Sequence, residues 1–483
     1  MASLNNLNFD NSYSALGEDF SVRLDPDGFE NPTLVSWNDD AAKLLNLDQQ
    51  PTDDDINAFF GGQKNLPGSE PISMVYAGHQ FGGFSHQLGD GRGILLGEVI
   101  NEKQERWDLH LKGAGLTPFS RMGDGRAVLR SVIREYLGGE AMHHLGIASS
   151  RALSIVTSDL PVRREEIESG TMMLRLSRSH IRFGHFEYFF HAGKSNQLQR
   201  LFDYTLTRHF PDIADQENKG VLFFEKVSAA TAKMIAEWQA VGFTHGVMNT
   251  DNLSIIGDTF DYGPYGFMDD YNPAYIPNHS DTTGRYSYEQ QPSIGHWNLR
   301  CLALSLQDFV SEDEASAVLE NYRVHYRSHY ISQMLAKFGL EKETADTVKI
   351  MLAFLDLLEE SKADYSLSFR SLSSYSIGNN SLDSLIPCDK KFRSWADSYD
   401  ALLSEEDLSE QQRHKKMKQV NPCYVLRNYL LQQAIEKAEN NDYSEIDTLL
   451  KLIRQPYVEQ KGMEAYQQPP PNWGKHLIIS CSS

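Results

Sequence analysis

The chain has 483 residues, 40% of them hydrophobic and 11% aromatic, an ordinary globular composition with enough apolar side chains for a sizeable core. Its formal net charge of −21 repels nucleic-acid phosphates, which disfavours a genome-binding role. No apolar run approaches the roughly 18 residues of a membrane span, and the polar, Asn-rich residues 1–16 lack the patterns of a secretory signal or a transit peptide. Cys301, Cys388, Cys423 and Cys481 stand alone, without a C-x-x-C pair, so a reducing cytoplasm is the expected compartment.

In chain order, an N-terminal extension over 1–70 precedes a β-rich stretch. Residues 92–100 and 106–111 alternate apolar and polar around a charged turn, which predicts a hairpin ending at Lys112. A helix is predicted over 127–145, where Leu129, Val132, Ile133, Tyr136 and Leu137 recur at helical spacing and Gly146 supplies a stop. Two short strands, 152–156 and 172–176, lead into an aromatic segment at 181–190. Helices are then expected over 228–241, 297–309, 314–338, 348–359, 424–436 and 445–454.

The most informative stretch is His245-Gly246-Val247-Met248-Asn249-Thr250-Asp251-Asn252, followed by Asp261-Tyr262-Gly263. Kinase-type sites carry a His-x-Asp loop, an Asn five residues after that Asp, and an Asp-x-Gly, the Asn and the second Asp holding the metal. Here Asn252 and Asp261 keep the metal pair. The position of the usual base is Val247, which cannot accept a proton, and Asp251 offers a relocated carboxylate. Such a site is either inactive or performs different chemistry.

Other residues align with that motif. Lys112 at a strand end and Glu135 inside the next helix match the lysine–glutamate ion pair that positions phosphates. Glu140 is an alternative partner, but it falls about 140° further round the helix, so only one of the two faces the sheet. Gly89-Asp90-Gly91-Arg92 and Gly123-Asp124-Gly125-Arg126 flank Lys112, and glycines there would let backbone N–H groups approach phosphate. Arg175 and Arg182 have the planar guanidinium that suits bidentate phosphate contacts. His79, His86, His185 and His191 lack metal-ligand spacing and read as structural or aromatic-shell residues. A small mixed lobe over 71–195 followed by a helical lobe over 196–483 is the order of a two-lobed, protein-kinase-like α+β fold.

The segments 76–84 (Tyr-Ala-Gly-His-Gln-Phe-Gly-Gly-Phe), 88–92, 110–115, 179–188, 245–252 and 261–271 together resemble the selenoprotein O family of pseudokinases. The resemblance implies ATP bound in a flipped orientation and transfer of AMP from ATP to Ser, Thr or Tyr hydroxyls of proteins, with UTP as a further donor. It implies that Gly89, Gly91, Arg92, Lys112, Asp124, Gly125, Arg175 and Arg182 hold the nucleotide, with Glu135 pairing to Lys112. Asn252 and Asp261 would hold Mg²⁺ or Mn²⁺, and Asp251 would be the base. Asp261 is expected to face the nucleotide, so that its loss spares folding. Some family members tie a C-terminal cysteine to a cysteine after the Asp-Tyr-Gly motif. The corresponding positions here are Cys481 and Pro277, and a proline cannot form that bridge. An inactive nucleotide-binding scaffold and an ordinary protein kinase are the competing readings.

Overall fold

The computed structural model describes residues 3–378 and 381–480. An antiparallel eight-stranded sheet forms its centre, in the order Ser21–Arg23, Ile72–Met74, Gly93–Ile100, Arg106–Lys112, Ile167–Ser177, Arg151–Arg163 and Thr33–Trp37, with Ala127–Val128 paired onto Ile167–Ser177. Many helices follow, so the chain is mixed α and β.

Strand periodicity divides the sheet into two faces. Leu109 and Leu111 point to one side, with Ile94, Leu96, Leu174 and Leu176. Leu4, Leu7, Phe29, Trp37, Phe60 and Leu66 cover that side, so residues before 70 form the backing of the sheet as well as two of its strands. On the other side, Leu95, Ala152, Ile155 and Met173 pack against Val132, Ile133, Tyr136 and Leu137 of helix Leu129–His144. Asp108, His110 and Lys112 alternate with the two leucines. In register, Lys112 lies between Gly93 and Met173, while Arg175 is opposite His110. The chemistry-bearing side chains thus share the helix-covered face.

The helix settles which glutamate meets the lysine. Glu135 faces Lys112, whereas Glu140 bonds Arg151 through both oxygens, at 2.6 and 2.7 Å.

The two short strands expected at 152–156 and 172–176 belong to one hairpin of 13 and 11 residues. Its outer half carries exposed Asp159, Arg163, Ile167 and Ser169, so the apolar alternation ends before the backbone ladder does. The aromatic segment is helix Phe183–His191, which buries Phe183, Phe186 and Phe189 at three-residue spacing. The helix expected from 297 begins at Gln291, with a proline in its first turn. Ser195–His209, Tyr365–Leu372, Lys390–Glu405 and Glu410–Lys418 are helices without an expectation behind them. Glu410–Lys418 buries only Arg413 and Met417, too little to give a periodic apolar signal. Lys219–Ala240 packs against Glu312–Phe338, and a further core around Phe338, Phe354, Phe369, Trp395 and Tyr399 closes the C-terminal part. Among the described residues, no helix is long and apolar enough to cross a membrane.

Glu140 and Arg151 are both buried, so Arg151→Ala should cost about 3 to 5 kcal/mol by leaving a carboxylate in the core without its partner. Urea denaturation measures this. Replacing the pair together, Glu140→Leu with Arg151→Met, should recover most of the loss.

Candidate active site

A cleft of about 690 Å³ lies where the sheet's polar face meets the segment 245–264. Gly89, Gly91, Arg92, Lys112, Asp124, Gly125, Arg175, Arg182, Val247, Asp251, Asn252 and Asp261 all line it. Glu135 stands behind Lys112. Residues spread over about 170 positions of sequence therefore converge on one space.

Both Gly-Asp-Gly-Arg turns depend on glycine. Gly89 and Gly125 each have φ of +70°, and a Cβ would meet the Phe119 ring at 2.4 Å and the Gly115 carbonyl oxygen at 2.0 Å respectively. The two aspartates differ. Asp90 is buried, accepts from Met74 N at 3.1 Å and lies 3.3 Å from His110 Nε2, so it braces the turn internally. Asp124 is exposed at the rim and is held by Arg164 at 2.6 and 3.0 Å.

The floor is a chain of alternating charges. Lys112 bonds Glu135; Glu135 accepts from Arg175 at 3.0 Å; Arg175 reaches Asp261 at 2.6 Å; and Asp261 accepts from Arg182. Arg182 also lies over the rings of Tyr76 and Phe260, at 4.8 and 4.6 Å, and donates to the Asp251 carbonyl oxygen at 2.7 Å. Burial pulls the Lys112 ammonium down to about 8 against the opposing pull of Glu135, so it is still charged near neutrality. Burial alone would raise the Asp261 carboxyl, but Arg182, Arg175 and Lys112 outweigh it and hold the group well below the usual carboxylate range. Burial drives His110 down to about 4, so it is neutral beside Arg175, whose Nη2 lies 3.0 Å from its Nδ1. Three cations against two carboxylates leave this floor positive, as a polyphosphate requires.

Asp261 thus has a second role that the sequence left unseen. It ties two buried guanidiniums together, and it does so from a left-handed backbone conformation, φ 57°. The expectation that its removal spares folding does not fit this geometry.

Asp251 is 7% exposed. Its Oδ2 accepts from Gln80 Nε2 at 3.0 Å, and its Oδ1 has no partner among the described residues. Burial pushes its carboxyl up to about 7, with the Gln80 hydrogen bond and the Arg182 charge only partly opposing. Asn252 donates from Nδ2 to the Val247 carbonyl oxygen at 3.0 Å, which turns its amide oxygen away from that contact. That oxygen and the ionised Asp261 carboxylate are hard donors at one cleft, a set that suits a divalent ion bound jointly with phosphate and water.

Gln80, Phe81, Asn249 and His110 also line or brace the cleft without having been singled out in the sequence. Gln80 and Phe81 lie inside the long motif at 76–84, which was the available signal. The histidines sit among aromatic and polar partners, and His79 also falls with Glu187 and Cys301 in a group whose ligand atoms all lie within 4.8 Å of one another, a metal-capable set that the sequence spacing did not suggest. His79 bonds Glu187 at 2.6 Å, the His191 ring packs tilted against Phe84 with centroids 4.0 Å apart, and His185 Nδ1 accepts from Arg182 N at 3.0 Å.

The family model described as Protein adenylyltransferase SelO matches residues 3–454. This chain belongs to the SelO family. Three curated relatives carry the name Protein nucleotidyltransferase YdiU. The protein of Myxococcus xanthus is 47% identical, and those of Pseudomonas fluorescens strain SBW25 and Pseudomonas aeruginosa strain PAO1 are each 48% identical, over 100% of this chain and 100% of each relative. Nucleotidyl transfer is the class of activity these descriptions share, and each of the six segments quoted for the resemblance contributes residues to the cleft. Of the cysteine question, Cys481 lies outside the described residues. Pro277 sits against Gly246, and the tail reaches the same segment through His279 N, which donates to the Ile479 carbonyl oxygen at 2.8 Å.

Asp261→Ala should lower stability by on the order of 3 kcal/mol, because Arg175 and Arg182 lose their shared anion. Asn252→Ala should stay within about 1 kcal/mol of the unmodified chain, since it loses one hydrogen bond. Urea denaturation of the two variants side by side distinguishes the roles. Lys112→Ala and Glu135→Ala should be non-additive by about 0.5 to 3 kcal/mol in ATP titrations, because each is the other's partner.

Proposed function

We propose that the chain transfers AMP from ATP to Ser, Thr or Tyr hydroxyls of proteins and releases pyrophosphate, with UTP as a second donor. As a SelO family member it is a protein nucleotidyltransferase; the donor, the acceptor groups and the residue roles are the finer reading. One observation carries it: Val247 stands where a kinase needs its base, while Asp251 offers, in the same cleft, a buried carboxylate oxygen without a partner among the described residues.

In this reading Lys112, Arg175 and Arg182, with Arg92 at the mouth, bind the β- and γ-phosphates, and the turns at Gly89 and Gly125 bring backbone close to them. Burying that end of the triphosphate presents the α-phosphorus to the acceptor. The acceptor oxygen attacks the α-phosphorus, the bond to the bridging oxygen breaks, pyrophosphate leaves, and the hydroxyl proton passes to Asp251 Oδ1. Asn252 and Asp261 would hold Mg²⁺ or Mn²⁺, whose charge neutralises the phosphate oxygens. Glu135 keeps Lys112 placed.

The same reading assigns a two-lobed, protein-kinase-like architecture, with 71–195 as the nucleotide lobe, 196–483 as the helical lobe and 1–70 as an N-terminal extension. The sheet with helix Leu129–His144 on one side of the cleft and the helical part on the other support it. The isolated cysteines support a cytoplasmic setting, and the acidic charge argues against nucleic acid as a partner.

Label from ATP carrying it at the α-phosphate should become attached to protein, and label at the γ-phosphate should not. Transfer of the γ-label alone would establish a kinase, and transfer of neither would establish an inactive scaffold. Asp251→Ala should leave ATP affinity largely intact and slow transfer about 100- to 10,000-fold. Loss of binding together with rate would make Asp251 a structural residue.

A further inference from the structure

The hairpin formed by Gly78–Gln80 and Gly83–Ser85 lies across the segment that carries Asp251. Its turn residues Phe81 and Gly82 have φ of 50° and 85°. A phenylalanine seldom adopts the left-handed conformation unaided, so the surroundings must fix the turn. They do so at two points. Phe81 N donates to Tyr286 Oη at 2.8 Å, and Tyr286 Oη donates to Asn249 Oδ1 at 2.7 Å. His79 N donates to Thr250 Oγ1 at 2.7 Å, while Thr250 Oγ1 donates to Glu187, which also holds His79 Nδ1. The hairpin is therefore fastened to residues 249 and 250, immediately before Asp251.

Between these two fastenings sits Gln80. Its Nε2 reaches Asp251 Oδ2 at 3.0 Å, and among the described residues no arginine or lysine bonds that carboxylate; Arg182 bonds the backbone carbonyl of Asp251 instead. A carboxylate turns easily about its last bond and its two oxygens are equivalent. Occupying one of them breaks that equivalence. A neutral amide does this without setting a full positive charge against an incoming proton, as an arginine or lysine would.

We propose that Gln80 is a positioning residue for the transfer reaction: its amide holds Oδ2 of Asp251 so that Oδ1 is the oxygen presented to the acceptor hydroxyl. This rests on the reading of Asp251 as the base. It gives the motif at 76–84 a role on the acceptor side of the cleft, apart from phosphate binding.

The test compares the full-length chain with Gln80→Met, which keeps length but cannot donate, and with Gln80→Asn, which withdraws the amide by one methylene. Transfer of label from α-labelled ATP into a bacterial protein extract gives the rate, and ATP titration gives the affinity. Both variants should lose about 10- to 100-fold in kcat, with ATP affinity within about twofold of the unmodified chain. In an Asp251→Ala background Gln80→Met should cost nothing further, because the group it positions is gone. An unchanged kcat, a parallel loss of ATP affinity, or a further loss in the double variant would overturn the positioning role. Full activity of Asp251→Ala alone would instead overturn the base assignment on which it rests.

Discussion

The charge chain from Lys112 through Glu135, Arg175 and Asp261 to Arg182 is the interaction on which the rest of the site depends. Its members come from two central strands, one helix, the start of another helix and the Asp-Tyr-Gly turn. Each member is short of partners without the next, and a lone buried charge is far more costly than a paired one. The chain therefore fixes the relative placement of sheet, helix and loop as well as the local potential. The same five residues that set the register of the elements also give the cleft its positive floor.

That arrangement explains how a kinase-like motif can lose its usual base and still form an ordered site. Nothing in the chain passes through position 247. Val247 is half-buried, and its carbonyl oxygen still accepts from Asn252. The loop keeps its shape through backbone and neighbouring polar contacts, which left the residue type at 247 open to change.

Much of the site was legible because its chemistry is local in sequence. The loop at 245–252, the Asp-Tyr-Gly turn and the two Gly-Asp-Gly-Arg turns announce themselves by spacing. Helical spacing alone left Glu140 as an alternative to Glu135, and only the family resemblance chose Glu135, because the choice depends on where Arg151 falls in the next strand. The joint role of Asp261 was hidden for the same reason, since both of its arginines lie more than seventy residues away. In the fold, only some helices with an apolar stripe were visible: Ser195–His209 was missed although Leu198, Leu201, Phe202 and Leu206 recur at helical spacing along it. Polar ones such as Glu410–Lys418 were not, and the outer half of the long hairpin continues on backbone pairing alone.

The backing of the sheet by the first residues has a consequence for synthesis on the ribosome. Thr33 pairs with Thr157, so the edge strand Thr33–Trp37 must wait for 124 further residues before its partner exists. At the usual pace of translation that interval is about 6 to 25 seconds. Until the strands Gly93–Ile100 and Arg106–Lys112 are made, Phe29, Trp37 and Phe60 have no strand to cover, and Arg151–Arg163 and Ile167–Ser177 follow later still. The nascent chain therefore carries an unsatisfied apolar surface from early in its synthesis, and a chaperone that shields its first seventy residues would act before the cleft that gathers residues 89–261 can form.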